Sequence, residues 1–172
     1  MKIGFDLDGV VYDFCTPFDN YMKRMGFGLK DGSEYELASR YGVKSEVAPV
    51  FLENFGKTRP FTWIPLNNEA RQAMIDLSKE HELYIVTYRD WTLWGKEDTL
   101  ERIISDNIPV DESNIVFSRD KGDYSKSLEL DVFYEDSREN ALDIIDKSSA
   151  LVMMVDAAYN KIEHDRIKRI KW

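Results

Sequence analysis

The feature that most constrains this chain is an alternation. Five short apolar runs, residues 2–7 (KIGFDL), 83–88 (LYIVTY), 114–117 (NIVF), 131–135 (DVFYE) and 150–155 (ALVMMV), read as strands, and amphipathic stretches separate the later ones. In 67–80 Ala70, Ala73, Met74 and Leu77 fall at i, i+3, i+4 and i+7, behind a start signal made by Pro65 and Asn67/Asn68. Segment 95–107 carries Leu100, Ile103 and Ile104 on one face, and 138–147 carries Ala141, Leu142, Ile144 and Ile145. Strands that alternate with helices predict an α/β fold with a mostly parallel five-stranded sheet covered on both faces. Such sheets bind ligands beyond the C-terminal ends of their strands.

Residues 15–64 break the alternation and read as helices only. Thr16-Pro17 predicts an N-cap followed by proline at the first helical position, with Phe18, Tyr21, Met22 and Met25 at helical spacing behind it. Ser33-x-x-Glu36 has the form of a capping box. Ser45 opens a third stretch in which Val47, Phe51 and Phe55 repeat every four residues and Gly56 closes. The expected organisation is a core of residues 1–14 and 65–172 with a small helical module, 15–64, inserted after the first strand. That module is too small to bury much surface alone.

The totals exclude several functions. A net charge of −9 argues against a nucleic-acid polymer as partner, because such surfaces are normally basic. No apolar run reaches membrane-spanning length. The first strand starts at residue 2, which leaves no room for a signal peptide before it, and Cys15 is the single cysteine. A cytoplasmic location in a reducing compartment is the expectation.

The polar residues sit where a parallel sheet would gather them. The first strand ends in Asp6-Leu7-Asp8-Gly9, the second in Thr87-Tyr88-Arg89-Asp90 and the fourth in Glu135-Asp136-Ser137, while Ser118-Arg119-Asp120-Lys121 follows the third. Singly, each has a structural explanation. Aspartates form turns at strand ends, and an acidic pair suits the N-terminus of a following helix. Together they would place at least three carboxylates, a hydroxyl and a lysine on one edge. Carboxylate oxygens suit Mg²⁺, which keeps waters and takes substrate phosphate, while a lysine and a hydroxyl can hold phosphoryl oxygens.

DLDGV after a strand, a threonine after the second, a lysine opening a helix and an acidic pair after the fourth resemble the four motifs of the haloacid dehalogenase (HAD) superfamily. The insertion after the first motif is similar to that superfamily's common cap position. Residues 6–14 fit the D-x-D-G-V-x-x-D-F pattern of the 5'(3')-deoxyribonucleotidase-like members, and the run KGDYSKSLELDVFYEDSRENALDI, from Lys121, resembles their bacterial and phage relatives. So does a late pattern made by Asp156, Tyr159, Asn160 and the tail Arg169-Ile170-Lys171-Trp172.

The resemblance implies a Rossmann-like three-layer sandwich with a helical cap, and it implies roles. Asp6 is the expected nucleophile, forming an aspartyl-phosphate, and Asp8 the expected acid and base, its pKa raised by neighbouring negative charge. Mg²⁺ is expected on Asp6, the backbone carbonyl of Asp8 and Asp136, with Glu135 a further candidate ligand. Thr87 and Lys121 are expected to hold the phosphoryl group, with Tyr88 and Arg89 as further phosphate or sugar contacts. Lys126 competes for the lysine role but lies further along its helix. Helical spacing makes most cap aromatics core residues, which leaves Phe14, Tyr35 and Trp91 as candidates to stack on a base. Charge runs at 97–102 and 161–171 read as solvated helix faces.

The expected activity is a magnesium-dependent phosphomonoesterase acting on a nucleoside monophosphate. Its rivals are a phosphatase for a sugar phosphate or a nucleic-acid 3'-phosphate end, and a binding domain that has kept the scaffold without the catalysis. Whether the chain forms a homodimer stays open at this stage.

Overall fold

The computed structural model describes residues 1–172. Its sheet has six parallel strands: β1 (Lys2–Phe5), β2 (Glu82–Thr87), β3 (Ile115–Phe117), β4 (Val132–Glu135), β5 (Leu151–Val155) and β6 (Ile167–Ile170), in the order β3-β2-β1-β4-β5-β6. The order reverses between β1 and β4, so the switch-point crevice opens beside the end of the first strand.

Period-two alternation feeds both faces. Ile3 and Phe5 of β1 with Leu83 and Ile85 of β2 pack towards Met74 of helix α4 (Asn68–Leu77) and Ile103 of helix α5 (Gly95–Ser105). Tyr84, Val86, Phe133, Val152 and Met154 face the other way, onto Ala141 and Ile144 of helix α7 (Arg138–Lys147), which packs beside helix α6 (Lys121–Ser127). On that face Gly4 is a necessity: a Cβ there would lie 2.6 Å from the Phe133 ring.

The expected five strands are present, and β6 is a sixth. Residues 161–171, expected as a helix face, are a loop followed by this edge strand. Its Ile-Lys-Arg-Ile pattern buries little, and Lys168 and Arg169 are exposed, as charges on an edge strand commonly are.

The insert forms helices α1 (Cys15–Arg24), α2 (Leu37–Tyr41) and α3 (Ala48–Gly56) around a small aromatic core of Phe18, Met22, Tyr41 and Phe55. Phe61 and Ile64 already belong to the main core, so contact with the sheet resumes before residue 65. The helix starts differ from expectation. Asp13, not Thr16, satisfies the first turn of α1, accepting from the Thr16 amide at 3.0 Å. Glu36 itself caps α2, accepting from the Ser39 amide at 2.9 Å, so Ser33 has no capping role there. In both cases a carboxylate near the helix start satisfies free amides and favours the positive end of the helix. Gly56 is not a left-handed cap. It ends α3 beneath Trp91, where a Cβ would come within 2.7 Å of the indole.

Candidate active site

Four of the strand ends converge on one cleft. After β1 the chain makes a tight loop in which the Val11 and Tyr12 amides both donate to the Leu7 carbonyl at 2.8 Å. The loop needs Gly9, whose φ is +76° and whose missing side chain leaves room for Asp136: a Cβ would lie 2.0 Å from Asp136 Oδ2. It leaves Asp6 buried and turns Asp8 towards the cleft with a quarter of its side chain exposed.

Oxygens of Asp6, Glu135 and Asp136 lie within 4.8 Å of one another, and all three residues are buried. Lys121, at the start of α6 and 2% exposed, reaches between them, with Nζ 2.7 Å from Asp6 Oδ1 and 3.1 Å from Glu135 Oε2. Lys126, its rival by sequence, is exposed on the far side of the same helix. One cation facing three buried carboxylates leaves a deficit. Burial, helped by Glu135 and Asp6, accordingly pushes the Asp136 carboxyl well above the usual carboxylate range. The donor set is all oxygen and negatively charged, which fits a hard divalent cation such as Mg²⁺.

Glu135 belongs to this acidic cluster, and both of its oxygens are hydrogen-bonded within the protein. Oε2 meets Lys121, and Oε1 accepts from the amides of Asp136 (3.1 Å) and Ser137 (2.9 Å) and from Asn140 Nδ2 (3.3 Å). With both oxygens occupied, Glu135 orients the lysine and holds the start of α7. Asp136 has Oδ2 on the Tyr159 hydroxyl, and no hydrogen bond occupies its Oδ1.

Arg89 also departs from expectation. It is fully buried, does not line the cleft, and makes two parallel bonds to Asp8, Nε to Oδ2 at 3.1 Å and Nη2 to Oδ1 at 2.7 Å. Its guanidinium carbon lies 4.8 Å from the centre of the Tyr12 ring and 4.5 Å from that of Phe61. Two of its nitrogens are committed to the Asp8 carboxylate, in the planar fork geometry that suits arginine, and Nη1, also buried, has no partner within the protein. The Asp8 carboxyl is pushed up, as anticipated, but burial is the leading cause and the charge of Asp6 a lesser one, with Arg89 opposing both.

Thr87 ends β2 fully buried and, like Arg89, lies behind the residues that line the cleft, and its hydroxyl has no partner within the protein. A buried hydroxyl left unbonded is costly, which suits a group that receives its partner from a ligand. Tyr88 lines the cleft, stacked by Arg119 at 4.3 Å.

The cleft measures about 520 Å³ and runs from Asp6, Asp8, Lys121 and Asp136 to the helical insert. Phe14, Tyr35 and Trp91 all line it. Phe14 is anchored by Phe18 and edge-on Phe55, Trp91 by Phe61, and Tyr35 rests on Tyr159 at 5.4 Å. Sequence reasoning assigned no role to Arg119, Arg40 or Tyr159, which also line it. Arg40 is spoken for: it pairs with Asp19 at 3.0 Å and donates to the carbonyls of Gly32 and Glu34, pinning the loop that carries Tyr35.

No protein-family model matches the chain. Among curated proteins it is similar to the "Putative nucleotidase" of Halalkalibacterium halodurans, 28% identical over 94% of this chain and 82% of that protein. It is also similar to a nucleotidase of Clostridium acetobutylicum, 25% identical over 94% and 83%. Among solved structures it superposes on a haloacid dehalogenase-like family hydrolase from Streptococcus pneumoniae with a TM-score of 0.64, at 16% identity over 90% of this chain and 84% of that one. A haloacid dehalogenase-like hydrolase structure from Bacteroides fragilis gives 0.63, at 15% identity over 99% and 95%. The chain therefore has the haloacid dehalogenase fold, and its sequence resembles those of bacterial nucleotidases. No helix in it is long and apolar enough to cross a membrane.

Proposed function

We propose that this protein is a magnesium-dependent phosphomonoesterase that hydrolyses nucleoside monophosphates through an aspartyl-phosphate on Asp6, with residues 15–64 as the cap over its cleft. The observation that carries the reading is the meeting of Asp6, Asp136 and Lys121, with Asp8 beside them, at one end of an aromatic-lined cleft. The nucleotidase names of its relatives and its haloacid dehalogenase fold support the same reading. A reducing cytoplasm is the compartment proposed for it.

Mg²⁺ would be held by Asp6, the Asp8 carbonyl and Asp136, and when bound it supplies neutralising charge to the phosphoryl group. The rest is done by the chain. Lys121 offers positive charge to the phosphoryl oxygens, and the unbonded Thr87 hydroxyl donates to one of them. An Asp6 oxygen attacks phosphorus as the ester P–O bond breaks, and Asp8 gives its proton to the departing nucleoside oxygen. Asp8, now a carboxylate, takes a proton from the water that attacks the aspartyl-phosphate, which releases phosphate and restores both aspartates. Burial raises the Asp8 carboxyl against the opposing pull of Arg89, the direction that favours the acid form used in the first step. The aromatic walls take the base, and the cap excludes bulk water.

The test is phosphate release across nucleoside monophosphates and sugar phosphates, with and without Mg²⁺. The expected result is magnesium-dependent turnover with nucleotides preferred, lost by about four orders of magnitude or more in Asp6→Asn. Preference for sugar phosphates would overturn the substrate, and no release from any ester would overturn the enzyme.

A further inference from the structure

The C-terminal segment performs no step in the reaction above, yet two of its side chains converge on Asp136. The Tyr159 hydroxyl donates to Asp136 Oδ2 at 2.5 Å. Asn160 is fully buried, and its amide nitrogen donates to the backbone carbonyl of Asp136 and to that of Val155, both at 2.7 Å. Its Oδ1 accepts from the Ala157 amide at 3.1 Å and from Arg169 Nη2 at 2.7 Å. Arg169 closes the arrangement by donating through Nε to Asp156 at 2.9 Å and through Nη1 to the Asn160 carbonyl at 3.0 Å.

Every polar side-chain atom of Asn160 is therefore committed, and it fixes the backbone of Asp136, just past the end of β4, from a different part of the chain. Tyr159 fixes the side chain. A carboxylate crowded by two others is repelled by them and gains by turning away. Tying Oδ2 to Tyr159 opposes that turn and leaves Oδ1 without a hydrogen bond in a carboxylate that belongs to the cluster. The tyrosine is itself held, because its ring rests on Tyr35 and lies 6.0 Å from the Arg40 guanidinium.

We propose that Tyr159 and Asn160 are positioning residues for the divalent-cation half of the site, and that they set its cation affinity by fixing Asp136 through its carboxylate and its carbonyl. This rests on the reading of Asp136 as a cation ligand. Partners that orient a ligating carboxylate are typically worth about 10- to 100-fold in metal affinity.

The test is Mg²⁺ titration of the protein by calorimetry, comparing wild type, Tyr159→Phe and Asp136→Asn. Tyr159→Phe keeps the ring and its packing on Tyr35 and removes only the hydroxyl. The expected result is Mg²⁺ binding about 10- to 100-fold weaker than wild type, with turnover restored by excess Mg²⁺. A Tyr159→Phe protein that binds Mg²⁺ like wild type while Asp136→Asn does not would overturn this proposal and leave the ligand reading standing. A lowered Tm with unchanged Mg²⁺ affinity would overturn it in the same way, as a purely structural role. Wild-type affinity in Asp136→Asn, or no binding by wild type, would overturn the ligand reading and this proposal with it.

Discussion

Arg89 and Asp8 form a two-pronged ion pair in which the arginine is fully buried and the aspartate faces the cleft. The arginine holds the carboxylate in one orientation and also lowers its affinity for a proton, against the larger effect of burial. Arg89→Met removes both influences. The freed Asp8 keeps its proton to higher pH, so the basic limb of the kcat/KM profile moves upward. Loss of orientation lowers kcat by up to about 100-fold, a share of what general acid–base catalysis is worth. A pH–rate profile of the variant checks both. A basic limb that stays in place would separate Asp8 from the protonation that controls the rate.

Gly9 carries two requirements at once, a left-handed backbone and empty space for Asp136. Gly9→Ala adds strain of about 1–3 kcal/mol and drives a methyl group into a carboxylate oxygen. The expected outcome is a lowered Tm and loss of Mg²⁺-dependent turnover together. Thermal melts alongside phosphate release check it. A variant with lowered Tm and full turnover would show that Asp136 can move without consequence.

Much of the core was legible because its signals are local. The strands at 83–88 and 150–155 announce themselves by apolar runs, and α4 by Asn67, whose side chain accepts from two amides of the first helical turn. The site was legible because parallel topology brings strand ends together, so Asp6, Thr87, Lys121 and Asp136 could be grouped before any coordinates. What each group bonds to was not. Arg89 reads in sequence as a cation near a phosphate site, and only the folded placement of its guanidinium against Tyr12 and Phe61 brings it to Asp8. Glu135 reads as a twin of Asp136, but the amides at the start of α7 claim one of its oxygens and Lys121 the other. Tyr159 lies 23 residues from Asp136, and the pairing depends on β6 returning to lock the intervening loop. That strand is polar and short, so it carries little pattern to read.

The lock on that loop has a pH dependence. Asp156 accepts from Lys161 and Arg169, which hold its carboxyl down at about 2. Its folded pKa is thus depressed below the unfolded value of about 3.9. The stabilisation is present above that value and is lost as pH falls towards about 2. Asp156→Asn is expected to have a lower Tm than wild type at pH 6, with the difference shrinking as pH falls below about 4. Melting curves of the two proteins from pH 6 to pH 3 check this. A constant gap would assign the effect to something other than the charge on Asp156.

Tyr35 offers the cleanest separation of substrate recognition from chemistry. It is 52% exposed, lines the cleft and packs on Tyr159, yet it belongs to the loop pinned by Arg40 and not to the aromatic core of the cap. Truncation therefore spares folding better than truncation of Phe14, which supports Phe18 and Phe55. A base stacked on an aromatic side chain gains about 1–3 kcal/mol, so Tyr35→Ala is expected to raise KM for a nucleoside monophosphate by about 5- to 100-fold. An ester with no nucleobase, such as a short-chain alkyl phosphate, has nothing to stack there, and its kcat/KM is expected to stay near that of wild type. Steady-state kinetics on both substrates checks the pair of outcomes. Equal losses on both would place Tyr35 with the machinery that holds Tyr159 and Asp136, and would remove it from base recognition.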